Sequence, residues 1–289
     1  MARAGTWPNP DWYADPSRAH AMRWWDGERW TTRVTDGGAP FDDRADPDEL
    51  DRLHAHGGDL RARWPPWVVA FAVVALLGAD AVVPVLVRYV RGAGAPVAIA
   101  ATASLLYGVL IVAAVAVHHR VQPGVSFLDA FGLRWRWVDV GWGFVASIAA
   151  RIAAVILVLP IVLLDPDLSR TNVPSPDDVR ADLGLLIGVS IVAVIVAPIV
   201  EELFFRGLLQ RSLEAALPLW LAIGIVSIVF GLAHVDIDAG WANLGVVAAT
   251  TAGGAVFGMV ARATRRLTPS IVAHALFNAV AIGFLWAQR

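Results

Sequence analysis

Glu201 and Glu202 stand side by side in an otherwise apolar run, and Arg206 follows four residues after the second. Charged side chains in a bilayer helix cost roughly 2.5–3.5 kcal/mol each on insertion scales, so by default they mark function. Helical spacing puts Glu202 and Arg206 at i and i+4 on one face, in an order that favours an ion pair. Glu201 falls about 100° further round the helix and is free to point elsewhere. One carboxylate is then held by arginine while the other stays available for acid–base chemistry. A helix at the membrane boundary, its charges simply meeting water, would carry the same residues. The rest of the chain has to separate these readings.

Two of the seven histidines lie at apolar segments of the second half. One is His234, in Phe230-Gly-Leu-Ala-His234. The other is His274, in His274-Ala-Leu-Phe-Asn278, where Asn278 shares the face of His274. Together with the Glu-Glu…Arg cluster these residues are hard to explain as lipid-facing. If they converge, Glu201 is a general base, the histidines are partners for a water or a metal, and Asn278 and His274 are donors for an oxyanion. No His-Glu-x-x-His occurs, so a metal needs ligands from separate helices. Glu201, His234 and His274 could make a three-ligand site for zinc or another divalent ion, with water in the fourth position. Equally, Glu201 and His234 could polarise a water with no metal at all.

At these residues a family resemblance is clear. Glu201-Glu202-x-x-x-Arg206, Phe230-x-x-x-His234 and His274-x-x-x-Asn278 resemble the three signature motifs of the CPBP family, in the same order. That family holds the CAAX prenyl endopeptidases of the Rce1 type and bacterial relatives implicated in bacteriocin processing and immunity (Abi). The likeness covers roughly residues 180–289 and leaves 1–63 outside. It implies an intramembrane endopeptidase, classed as a metalloprotease or read as a glutamate-dependent enzyme without a catalytic metal. It implies catalytic roles for Glu201, Glu202, Arg206, His234, His274 and Asn278, and the membrane of a bacterial cell as the location.

The elements that must position these groups are apolar helices. The 289 residues are 57% hydrophobic and 17% charged, with mean hydropathy +0.60, which is too apolar for a soluble chain of this size. A net charge of −2 gives no nucleic-acid signal, and the lack of cysteine excludes disulfides, thiolate metal sites and cysteine proteolysis. Every one of the 23 basic residues is arginine, which reads as genome composition rather than mechanism. Apolar segments fall at about 67–87, 96–117, 140–164, 183–205, 217–233, 242–261 and 268–287. The expected fold is an all-α polytopic membrane domain over 64–289, with seven or eight transmembrane helices. Arginines are more frequent at the ends that are cytoplasmic if the N-terminus is inside, which favours that orientation. Asp80 and Arg151 sit within spans and read as a structural pair or as snorkelling charges. Gly253, Gly254 and Gly258 read as close helix packing.

Ahead of this domain, residues 1–36 form a Trp-rich module around Trp7, Trp12, Trp24, Trp25 and Trp30. Asp26-Gly27 between aromatic stretches signals a two-residue hairpin turn. The stretch resembles a short bacterial domain of unknown function. Its expected role is protein contact, with membrane-interface contact through tryptophan as the alternative. Residues 37–63, rich in Asp and Gly, read as a solvated linker, and His54 with His56 as a solvated pair rather than a metal site.

The function expected is hydrolysis of peptide bonds in a membrane-associated peptide or protein, with the lipid bilayer as the other partner. A non-catalytic scaffold or bacteriocin-immunity protein on the same fold is the alternative. A transporter fits less well, since no internal repeat is visible. One difficulty stands in the helix ends. Hydropathy places His234 at the far end of its segment and His274 near the cytoplasmic start of its own, so the two are not level. Helix breaks at Pro198, Pro218 or Pro269 are the expected remedy.

Overall fold

The computed structural model describes residues 10–15, 20–44, 46–48, 67–72, 95–121, 127–133, 135–168, 182–235 and 237–288. The chain divides into two compact units, Met1–Arg63 and Trp64–Arg289. Asp80, His54, His56 and most of the first apolar segment lie outside the described residues.

The first unit holds a four-stranded antiparallel sheet in the order β1 (Asp11–Ala14), β2 (Met22–Trp25), β3 (Trp30–Thr35), β4 (Phe41–Asp42). Trp25 and Trp30 face each other across β2 and β3, with ring centroids 5.3 Å apart. These rings, with Val34, make the small core. The hairpin is longer than two residues, because the Trp25–Trp30 pair encloses residues 26–29. Asp26 carries that loop by accepting from the N–H groups of Arg29 (2.7 Å) and Glu28 (2.8 Å), while Gly27 takes φ +103°.

The module also runs past residue 36. β4 pairs with β3, so the acidic stretch read as linker begins inside the sheet. The reason is Arg23, which is fully buried. Its guanidinium donates to Asp15 (2.7 Å), to the carbonyl of Thr31 (2.8 Å) and to both carboxylate oxygens of Asp43. A buried arginine needs such partners, and Asp43 lies just beyond β4. His20 adds a contact to Asp36 at 2.9 Å.

These contacts set a pH dependence. The backbone N–H groups of Arg29 and Glu28 hold the Asp26 carboxyl below the ordinary carboxylate range. The His20 imidazole and the Ala21 N–H do the same for Asp36. A depressed folded value gives stability that is present above the unfolded value of about 3.9 and lost as pH falls through the folded value. Amide exchange of residues 20–44 in the full chain, corrected for intrinsic rate, should therefore be faster at pH 3 than at pH 6. Equal protection at both would remove this electrostatic contribution.

The second unit is helical. Its elements are α1 (Ala95–Val121), α2 (Phe127–Phe131), α3 (Val138–Leu164), α4 (Leu183–Glu214), α5 (Leu219–Leu232), α6 (Asn243–Thr264) and α7 (Thr268–Ala287). Among the described residues, four helical stretches are long and apolar enough to cross a membrane: α3, α4, Gly240–Thr264 and α7. Of the seven spans expected from hydropathy, four meet this length and composition among the described residues, and most of the first lies outside them. Ser104–Arg120 of α1 and Leu219–Leu232 are shorter apolar stretches.

α3 shows how sequence sets packing. Gly143, Ala146, Ser147, Ala150 and Ala154 form its buried stripe, while Val145, Ile148, Ile152, Val155 and Ile156 are exposed. Small residues let backbones approach, and the large apolar ones face the lipid side. Gly143 lies directly against Val272 of α7, where a Cβ would collide. Ala146 and Ala150 join Phe257, Val260 and Ala273 in one core cluster.

Arg151, midway along α3, donates to the carbonyls of Leu276 (3.0 Å) and Phe277 (2.6 Å) and lies 4.9 Å from the Phe277 ring centroid. It clamps α3 to α7, which makes its role structural. At the end of the unit holding the α6–α7 turn, Arg266 reaches the buried Asp139 at 2.6 Å. Arg211 donates to the carbonyls of Ala130 (2.6 Å) and Phe131 (3.2 Å), closing the end of α2.

Candidate active site

α4 carries the two glutamates, and its backbone is unusual around them. π-helical turns occupy Val192–Val196 and Leu203–Gln210, with a short α segment, Ala197–Glu202, between. Pro198 lies in that segment and lacks the N–H that a regular α-helix would use there. Such bulges concentrate at functional sites. Residues 202–210 are all buried, so this half of α4 is the centre of the bundle.

The two carboxylates diverge. Glu202, fully buried, takes the Arg206 Nη1 at 2.8 Å on Oε1. The same oxygen accepts from Nδ1 of His274 at 3.1 Å. Arg206 is itself fixed three ways. Its Nη2 donates to the Gly254 carbonyl at 3.0 Å, and its guanidinium lies 4.5 Å from the Phe230 ring centroid and 5.6 Å from that of Phe257. One turn on, Gln210 donates to the Gly258 carbonyl at 3.2 Å. Gly254 and Gly258 therefore do more than admit a close helix. A Cβ on Gly254 would stand 3.1 Å from Arg206 Nη2, and one on Gly258 would stand 2.6 Å from Gln210 Oε1. The glycines expose the backbone that these polar side chains need.

Glu201 faces the other way and keeps 12% of its side-chain surface exposed. Its Oε1 accepts from the Tyr107 hydroxyl of α1 at 3.0 Å. Its Oε2 is buried with no hydrogen-bond partner among the described residues. That oxygen is 3.8 Å from His274 Nε2 and 4.0 Å from His234 Nε2.

Hydrogen bonding sets which ring nitrogens are free. His234 Nδ1 is 2.7 Å from the Phe230 carbonyl, which can only accept, so Nδ1 carries the proton. His274 Nδ1 donates likewise to the Glu202 carboxylate. Both Nε2 atoms then face Glu201 Oε2, where a neutral ring presents a lone pair and an imidazolium presents a proton. Phe257 stacks on the His274 ring at 4.9 Å and 20°, and Phe230 meets the His234 and His274 rings edge-on at 4.6 and 5.6 Å. Aromatic walls hold both imidazoles in place.

The level difference between the histidines disappears in this arrangement. α5 is 14 residues long, about 21 Å by helical rise, against a hydrocarbon thickness of ~30 Å. The far end of α5 is therefore not the far face of a membrane. Pro218 and Pro269 break nothing, for they sit at the starts of α5 and α7.

Asn278 is placed differently from expectation. Its Nδ2 donates to the Ala193 carbonyl at 2.8 Å, within the first π turn of α4. Orienting His274 falls to Glu202 instead. Tyr107 was absent from the sequence reading. A lone phenol in the apolar segment 96–117, whose hydroxyl needs a partner, was the available signal.

A carboxylate oxygen and two imidazole nitrogens are suitable donor types for a divalent metal. Yet among the described residues no group of three His, Asp or Glu side chains is spaced to hold an ion. Separations of 3.8 and 4.0 Å are beyond direct hydrogen bonding and leave the groups to meet through a bridging atom such as a water oxygen.

Comparison with known proteins agrees with these motifs. Residues 183–280 match the family described as Type II CAAX prenyl endopeptidase Rce1-like, and residues 10–43 match the one described as Protein of unknown function (DUF2510). Neither the search of curated proteins nor that of solved structures returned a match. The Rce1-like match thus spans all three motifs, and the DUF2510 match spans the four-stranded sheet of the N-terminal unit.

Proposed function

We propose that this chain is an intramembrane endopeptidase that hydrolyses peptide bonds of membrane-associated proteins or peptides with a water activated by Glu201. The observation that supports this reading is the bare Glu201 Oε2 facing two imidazole Nε2 atoms at 3.8 and 4.0 Å. In the proposed reaction a water lies among these three atoms. It gives one proton to Glu201 Oε2 and is oriented by His234 Nε2, and its oxygen attacks the scissile carbonyl carbon. The carbonyl oxygen becomes an oxyanion next to His274. In this proposal His274 enters the cycle as an imidazolium: its Nε2–H donates to that oxyanion, its Nδ1–H donates to Glu202, and it keeps both protons throughout. The tetrahedral intermediate then collapses, the C–N bond breaks, and the proton on Glu201 passes to the leaving amine.

Every group in this sequence belongs to the chain. Whether a divalent ion also takes part is read from metal content. Stoichiometric zinc that disappears in His234→Ala would make the site a metal centre, whereas full activity in metal-free protein leaves the glutamate mechanism standing. The reaction is tested by reconstituting the purified protein with membrane-tethered peptides and reading cleavage by mass spectrometry, with Glu201→Gln as control.

The same reading places the N-terminal module and the α6–α7 turn in the cytoplasm, supported by the arginines Arg262, Arg265 and Arg266 at that turn. The chain has no cysteine, so Arg265→Cys carries the only thiol. An impermeant maleimide added outside intact cells should leave it unlabelled and should label it after lysis. Labelling in intact cells would reverse the topology.

A further inference from the structure

Tyr107 of α1 makes a polar contact with Glu201, and it singles out one oxygen. Its hydroxyl donates to Glu201 Oε1 at 3.0 Å, while Oε2 stays without a partner and faces both histidines. A carboxylate without this bond is free to rotate about its last torsion and to exchange its two oxygens. With it, one oxygen is occupied and the other is presented to the gap between His234 and His274. The bond also crosses between helices far apart in sequence, so the carboxylate is fixed from outside α4.

We infer that Tyr107 is a positioning residue that selects Glu201 Oε2 as the reacting oxygen. Its catalytic consequence rests on the proposed function, but the selection itself does not. Tyr107 touches neither the water nor the scissile bond. It acts through Glu201, and its loss should weaken the chemical step rather than substrate binding.

Two measurements on the full-length protein in detergent test this. In the first, Tyr107→Phe keeps the ring and removes only the hydroxyl. The kcat should fall roughly 10- to 100-fold with KM within about two-fold, as expected for a misplaced reacting group. Unchanged kcat, or a loss confined to KM, would overturn the inference. The second needs no activity: modification of Glu201 by dicyclohexylcarbodiimide, read by peptide mass spectrometry. With Oε1 released from its donor, Tyr107→Phe should be modified several-fold faster than the parent. Tyr13→Phe, a change in the N-terminal unit, should match the parent. Equal rates in Tyr107→Phe and parent would also overturn the inference. If the parent protein cleaves nothing, the proposed reaction fails, and the carbodiimide rates still decide the role of Tyr107.

Discussion

Glu201→Gln is expected to lower peptide cleavage by at least 10²–10⁴-fold while the protein folds and purifies like the parent. Glutamine has nearly the same volume and can still accept the Tyr107 hydrogen bond. It cannot take a proton from water. Glu201 is partly exposed, and Arg206 is paired with Glu202 rather than with Glu201, so the replacement leaves the buried arginine neutralised, and His274 keeps its contact with Glu202. Chemistry and folding are therefore separable at this position. Asn278→Ala should retain more activity than Glu201→Gln, since the Asn278 amide is engaged by the Ala193 carbonyl of α4. Its loss should appear first as weaker α4–α7 packing. Reconstituted protein, a membrane-tethered peptide and detergent melting read all of these effects. Full activity in Glu201→Gln would leave the non-catalytic scaffold as the surviving account.

The division of labour between the glutamates was legible from spacing. Adjacent residues on a helix point about 100° apart, so Glu202 could meet Arg206 only if Glu201 did not. The histidines were legible as polar groups without a lipid-facing explanation. What held His274 was not. Its partner is Glu202, which the i, i+4 rule had assigned wholly to Arg206, although one carboxylate oxygen accepts from both. Tyr107 escaped because its contact joins helices 94 residues apart, and no local period encodes that. The π turns escaped because both fall in a run that is apolar almost throughout, and such a run has no hydrophobic period to read. In the N-terminal unit the tryptophans drew the reading to an aromatic core. Arg23, Asp15 and Asp43 form a second, ionic core, and Asp43 was hidden in a stretch whose composition reads as solvated.

Arg206→Ala should damage the fold first and the chemistry with it. The guanidinium is 1% exposed and neutralises a Glu202 carboxylate that is fully buried. Removing one partner of a buried pair costs roughly 3–5 kcal/mol, because the remaining charge keeps its desolvation cost. Domains of ordinary stability have only about 5–15 kcal/mol in hand, so folded yield should collapse or melting should fall steeply. Arg206→Lys should lie between, since an ammonium lacks the planar face that stacks on Phe230. A paired replacement separates the two roles. Glu202→Leu with Arg206→Met removes both charges together, and buried pairs replaced this way often lose little stability. Melting should then recover toward the parent. Activity should not, because His274 Nδ1 has lost the carboxylate that fixes its proton and its orientation. If Arg206→Ala melts like the parent, the pair does not hold this helix. If the double replacement restores cleavage as well as stability, Glu202 does not orient His274.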